Sequence, residues 1–372
     1  MKQDVEIKSQ DIAASFAAEY VSSRVDLQTG HEFPMDIWRK MGGAGLFKIG
    51  IAEIYGGDGG GYLDLLKAGE AFVKSGYNMG LALSWLYQQI IAHYVISIFG
   101  TREQQRQYLL AAAAGKITLS FAVSEPGRGS HPKFLTTKAL KQDNVYALNG
   151  EKTYLTNGPI AGIFIVVAVT DETTPQKRFT AFIVPRTAEG VTVTQPLAMN
   201  FLKPSPHGGI KLENCLIGKK SVLGKEGSAW RDIVVPLGEI EDVVMMGPVL
   251  GGMAAQLSLL TAAIRETLPG TDPALQGDLG ALSALLQTLR MMAYEAAHRL
   301  DRGNASPIPL VITFARLATE FHAGIGQITD SWKITPPAEY TYLHRDLESL
   351  VTLKKRLMRI RQEKIGGALL KA

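Results

Sequence analysis

The chain has 372 residues, a net charge of only +4, 46% hydrophobic and 20% charged residues, an ordinary globular composition with enough chain for two or three structural units. Its one cysteine, Cys215, excludes an internal disulfide framework and Cys-rich zinc sites. Every apolar run of 18 residues is interrupted by charge, Gly or Pro, so no membrane span is expected.

The first residues, MKQDVEIKSQD, are polar and lack the apolar region of a signal peptide, so a cytoplasmic location is the default expectation. Apolar residues at helical spacing predict a helix over Ile12–Val25. Pro34 opens a second one through Trp38 and Met41, ended by Gly42-Gly43. A Gly-rich loop, Ile54 to Tyr62, leads into two long helical patterns over Leu63–Ile98. Thr101-Arg-Glu-Gln104 has the form of a capping box ahead of a helix to Ala114. Near Ile117 the pattern changes to short β-branched runs: Leu119–Val123, Val145–Leu148, Ile163–Val169, Phe179–Val184, Val191–Val193 and Ile210–Leu212. No helix intervenes between them, which argues against a βαβ dinucleotide fold.

From Gly227 the helical pattern returns. Pro236 and Gly238 should interrupt a first short helix, with longer ones at Glu239–Arg265, Asp278–Arg302, Leu310–Ser331 and Tyr342–Leu370, packed as a bundle. The basic residues Lys354-Lys355-Arg356, Arg359 and Arg361 read as a solvated helix face, not a nucleic-acid surface. The seven histidines are scattered, with no close pair on one helical face, and no metal site is expected. The expected fold class is α+β: an N-terminal helical domain (1–116), a middle antiparallel β domain (117–226) and a C-terminal helical bundle (227–372).

Two segments of the middle domain carry the chemistry. FAVSEPGRGS (Phe121–Ser130) and YALNGEKTYLTNG (Tyr146–Gly158) are strand-like runs ending in Gly-rich or Asn-Gly turns. Such turns leave backbone N–H groups for phosphate or ring-edge oxygens. Tyr154 and Thr156, two residues apart, would share a face of a regular strand. Taken alone, either segment reads more readily as an ordinary turn or hairpin than as a cofactor site.

With these segments, FPMDIWRKMGGAGLFKIGIAEIYGGDGGG (Phe33–Gly61), FGTREQQRQYLLAAAAGK (Phe99–Lys116), FTAFIVP (Phe179–Pro185), KLENCLIGKKSVLGKEGSAW (Lys211–Trp230) and MGPVLGGMAAQL (Met246–Leu257), the chain resembles the acyl-CoA dehydrogenase family from about residue 8 to 265 and more weakly beyond. The resemblance implies FAD bound beside the β domain and oxidation of an acyl-CoA thioester to its α,β-enoyl form. A carboxylate would remove the α proton, and flavin N5 would accept the β hydride. It places Phe121, Val123 and Ser124 beside the isoalloxazine ring, and Gly129 and Ser130 at a turn bordering flavin and thioester. Tyr154 would stack on the flavin where the family usually has Trp, and Thr156 would hydrogen-bond near the ring. The family also implies an electron-accepting flavoprotein partner and a homodimer or homotetramer.

The base is less direct. Many members carry a Glu nine residues after an Arg-Asp pair; here Arg345-Asp346 is followed by Lys354. A subgroup places its Glu ten residues before a Gly of the long central helix, and counting back from Gly251 gives Glu241. A carboxylate near a helix start is favoured as the anion, so Glu241 reads either as the base or as an exposed first-turn residue. Other departures bear on the cofactor. The family's Arg-x-x-Phe-Gly reads Arg265-Glu-Thr-Leu-Pro-Gly270, and its later glycine cluster is replaced by GQITDSWKITPPAEY (Gly326–Tyr340). His131 stands for an Asp, and Lys203 for an Arg. Two alternatives stay open: a flavin oxidase or monooxygenase on the same fold, and a non-catalytic subunit paired with an active paralogue.

Overall fold

The computed structural model describes residues 2–30, 32–173, 175–268, 272–353 and 355–370, with side chains from 8 onward except at 353 and 356. In chain order these form helices α1 (Lys2–Tyr20), α2 (Asp26–Thr29), α3 (Met35–Gly43), α4 (Tyr62–Gly76), α5 (Met79–Ile90), α6 (Ser97–Phe99) and α7 (Arg102–Ala113). Strands β1 (Leu119–Ala122), β2 (Lys138–Gln142), β3 (Val145–Thr156) and β4 (Ile163–Asp171) follow, then β5 (Arg178–Pro185), β6 (Val191–Val193), β7 (His207–Gly218) and β8 (Val222–Leu223). The chain closes with α8 (Val235–Val244), α9 (Met246–Thr267), α10 (Pro273–Arg302), α11 (Ile308–Ser331), α12 (Ala338–Leu353) and α13 (Lys355–Leu369).

Local chemistry explains most boundaries. The Thr101 hydroxyl accepts from the Gln104 amide at 3.2 Å and the Gln104 side chain accepts from the Thr101 amide at 2.8 Å, the reciprocal cap that starts α7. Asp272 caps α10 through the Ala274 amide at 2.7 Å, so that helix begins ahead of Asp278, with Pro273 at a position that needs no donor. Pro236 and Gly238 do not interrupt the helix. A π turn over Trp230–Val234 leads into α8, Pro236 lies in its first turn, and the break falls at Met245. The predicted Tyr342–Leu370 helix is described as α12 and α13, which lie on either side of position 354, a residue outside those described.

The sheet order is β6-β7-β3-β2-β4-β5-β8, with β1 also on β4. Most neighbours are antiparallel, but β1 and β2 each run parallel to β4. Ile163 through Val169 of β4 are all buried, the signature of a strand covered on both faces. Periodicity missed β2, whose KALKQ buries only Ala139, and the two-residue β8.

The chain forms two compact units: Met1–Thr29, Gly61–Ala82 and Asp242–Ala372 in one, Gly30–Gly60 and Leu83–Glu241 in the other. This cuts across the expected divisions at 116 and 226, because pattern registers where strands start and stop whereas packing joins α1 and α4 to the late helices. Within the first unit, a Cβ on Gly247 would lie 2.0 Å from the Leu66 carbonyl oxygen, so glycine lets α9 approach α4. Glu70 accepts from Arg290 Nε at 2.7 Å and from the Tyr294 hydroxyl at 2.8 Å. His322 and His344, far apart in sequence, stack at 4.1 Å across α11 and α12. Burial, aided by the neighbouring His344, pulls His322 down to about 4.

The expectation of no membrane-length apolar segment needs correction. Met79–Phe99, Trp230–Thr267 and Ile308–Ser331 are helical stretches long and apolar enough to cross a membrane by length and composition. The glycines and prolines counted as breaks sit inside continuous helix or π turns. The first two stretches are 78% buried within the protein, which accounts for their apolar character.

Candidate active site

In the second unit, β1 is fixed at its start by α5. Gln88, 1% exposed, accepts from the Leu119 amide at 2.7 Å and donates to the Ile117 carbonyl at 3.0 Å. Three bonds then lace β1 and its extension to the end of β3. Ser120 Oγ donates to the Thr156 carbonyl at 2.7 Å, Lys152 Nζ to the Val123 carbonyl at 2.9 Å, and the Thr153 amide to the Ser124 carbonyl at 2.9 Å. Phe121, Val123, Ser124, Tyr154 and Thr156 are thereby brought together. Phe121 and Ser124 are half-buried and Val123 is buried.

The turn beyond is built on a buried ion pair. Glu125 accepts from Lys152 Nζ at 3.1 Å, the Thr137 and Thr136 amides at 2.8 Å each, and the Thr136 hydroxyl at 2.9 Å. Burial would push the carboxyl up, but Lys152 and the Thr137 and Thr136 bonds outweigh it and hold it at about 2. Burial pulls Lys152 down to about 8 against the attraction of Glu125. Glu125 also closes the turn on itself, exchanging backbone bonds with Gly129 at 3.0 and 3.1 Å. Gly127 (φ +69°) and Gly129 (φ +61°) are left-handed, with nothing within 4 Å of an added Cβ, so glycine here answers to backbone conformation and an open approach. The turn is less available to phosphate than the sequence suggests, because the Glu125, Arg128 and Gly129 amides are bonded within it. Gly129 and Ser130 are exposed.

Tyr154 and Thr156 do not share a face. The β3–β7 register slips between Lys152 and Leu155, so β3 carries an extra residue, and Tyr154 takes a left-handed φ of +57°. Tyr154 is 66% exposed while Thr156 is 6% exposed. An aromatic side chain turned outward by a bulge is suited to stacking on a flat ligand. Thr156 Oγ1 meets His207 Nε2 at 3.2 Å, and His207 Nδ1 meets the Ser205 carbonyl at 3.1 Å. Burial pulls His207 below the ordinary imidazole range.

Glu241 lies on α8, half-buried, well inside the helical run that starts at Trp230. It is therefore not a first-turn residue, and the helix-start argument for its charge does not apply. His131 is exposed; its Nδ1 accepts from the Lys133 amide and its ring packs on Phe134 at 5.0 Å. Lys354 and the Pro269–Gly270 end of the altered Arg265 segment lie outside the described residues. Sequence reading missed the structural roles of Gln88, Lys152, Glu125 and His207. A strand lysine, a turn glutamate and a lone histidine carry no local signal of the partners that the sheet gives them.

A flat, phosphate-bearing aromatic cofactor fits the groups gathered here: an outward Tyr154, the half-buried Phe121 and Ser124, and an open glycine turn, with Val123 and the Thr156 hydroxyl buried beside them. Comparison with known proteins places the chain among relatives of one family. Residues 4–116 match the acyl-CoA dehydrogenase N-terminal domain and residues 120–215 its middle domain. The chain is 29% identical over 312 residues to a mitochondrial 2-methylacyl-CoA dehydrogenase of Solanum tuberosum, covering 82% of this chain and 75% of that protein. It is 30% identical over 287 residues to an L-prolyl-[peptidyl-carrier protein] dehydrogenase of Pseudomonas fluorescens, covering 76% and 75%. Butyryl-CoA dehydrogenase from Megasphaera elsdenii shares the fold, with a TM-score of 0.87 at 22% identity over 99% of this chain and 98% of that one.

Proposed function

Because the chain belongs to the acyl-CoA dehydrogenase family of flavin-dependent oxidoreductases, we propose that it binds FAD on the Phe121–Ser124 and Tyr154–Thr156 surface and dehydrogenates an acyl thioester. The observation that carries this reading is the lacing of β1's extension to the bulged end of β3, which brings Phe121, Val123 and Ser124 beside Tyr154 and Thr156. Tyr154 would stack on the flavin, Phe121 and Val123 would support it, Ser124 and Thr156 would meet its polar edge, and Gly129 and Ser130 would border the thioester. The bound flavin supplies the hydride acceptor.

Glu241 would hold and move the substrate's α proton. Its sequence neighbours Ile240 and Val243 are buried, and an apolar acyl chain would remove water and raise the carboxyl toward a useful basicity. The substrate class is an acyl-CoA or a carrier-protein thioester, with electrons leaving to a partner flavoprotein and the chain assembling with copies of itself. The test is the visible absorption spectrum of purified protein before and after added FAD, followed by anaerobic addition of acyl thioesters. Flavin uptake with bleaching supports the reading, and Glu241→Gln should keep the flavin and slow bleaching at least about 100-fold. No uptake refutes it.

One observation favours a second reading. Gly326 is the only glycine in Gly326–Tyr340, a stretch that forms the end of α11, a turn and the start of α12. A chain lacking glycines where a diphosphate must approach suits a subunit paired with an active paralogue. Native mass measurement separates the two, since a homo-oligomer with full flavin occupancy removes the second.

A further inference from the structure

We infer that His207 is a positioning residue that commits the Thr156 proton inward, so that Thr156 offers the cofactor edge a hydrogen-bond acceptor and not a donor. The inference rests on the flavin reading above. Thr156 and His207 are directly opposed across β3 and β7. A carbonyl oxygen cannot donate, so the 3.1 Å contact of Nδ1 with the Ser205 carbonyl puts a proton on Nδ1. A neutral ring then has its lone pair on Nε2, and the hydroxyl 3.2 Å away must donate to it. Burial favours the neutral ring.

The arrangement is held on both sides. The Asn157 amide donates to the Pro206 carbonyl at 2.9 Å, and the Leu197 amide to the His207 carbonyl at 2.7 Å. The buried Asn157 side chain donates to the Ser84 carbonyl at 2.9 Å, and Ser84 Oγ meets Ser205 Oγ at 3.0 Å. These bonds fix the backbone of His207, and its ring is held by the Thr156 and Ser205 contacts themselves. Two-electron reduction of a flavin protonates ring nitrogen, turning an acceptor edge into a donor edge. A hydroxyl oxygen with its own proton committed elsewhere matches the donor form, so the pair favours the reduced cofactor.

The experiment is potentiometry on the flavin-loaded protein with His207→Leu, His207→Gln, Thr156→Val and the Thr156→Val/His207→Leu double variant. His207→Leu frees the Thr156 proton and should shift the oxidised-to-reduced equilibrium about tenfold, lowering the midpoint by about 30 mV for a two-electron couple. His207→Gln, whose amide oxygen can accept, should recover most of the shift. In the Thr156→Val background the leucine should change nothing further. An unmoved midpoint in flavin-loaded His207→Leu, or the same drop without the threonine, overturns this inference alone. Failure to take up FAD overturns both readings and is seen first as a flat visible spectrum. If His207→Leu does not fold, imidazole nitrogen NMR of the unmodified protein decides: a proton on Nδ1 of His207 supports the pair, and one on Nε2 refutes it.

Discussion

Glu125 and Lys152 offer the sharpest test of how the site is held. Their side chains are 3% and 0% exposed and 3.1 Å apart. Removing one charge of such a pair leaves the other buried without compensation, at a cost of about 3–5 kcal/mol. Glu125→Gln also turns an amide N–H toward either the Thr136 or the Thr137 amide, each of which needs an acceptor. Lys152→Met keeps the length but leaves the Val123 carbonyl without this donor. Each substitution should lower the melting temperature by about 6–20 °C, at about 2–4 °C per kcal/mol for a unit of this size. The double variant should cost less than the sum by up to about 3 kcal/mol, since neither charge is then stranded. The pH dependence follows from the Glu125 carboxyl lying below its unfolded value. The carboxylate's contribution is complete above the ordinary glutamate range and is lost as pH falls toward about 2. Urea unfolding across pH should thus show stability falling through that acid window, and Glu125→Gln should remove this part of the fall. Additive effects of the two substitutions, within about 0.5 kcal/mol, or single costs below about 1 kcal/mol, would refute the reasoning.

Tyr154→Ala should leave stability within about 0.5 kcal/mol, because the ring is exposed, yet weaken FAD binding by roughly 2–10-fold in a fluorescence titration, with Tyr154→Trp restoring it. Gln88→Ala strands the buried Leu119 amide and Ile117 carbonyl; denaturant unfolding should show a loss of about 1–3 kcal/mol. Gly129→Ala forces a side chain into a left-handed backbone; a stability loss of about 1 kcal/mol with reduced flavin content is expected, and an unchanged melt would show that the turn rearranges freely.

The order of elements was legible because it is local. The Thr101–Gln104 cap, the β-branched runs from Leu119 onward and the apolar helical spacing after Gly227 each state their own conformation within a few residues. So was the resemblance at FAVSEPGRGS and LNGEKTYLTNG, which depends on residue identity alone. What the sequence could not state is anything requiring two distant segments to meet. Strand parity put Tyr154 and Thr156 on one face, and only pairing with β7, with its one-residue slip, turns Tyr154 outward and buries Thr156. Glycine-rich spelling suggested free amides at Glu125–Gly129, but the turn bonds three of them to itself. Pro236 and Gly238 read as breaks because propensity is counted residue by residue, whereas the helix that continues from a π turn absorbs them. Gln88, Lys152 and His207 have unremarkable surroundings in sequence; they become a strand anchor, a buried cation and a hydroxyl acceptor because burial removes water, and each polar atom must then find its partner across the fold.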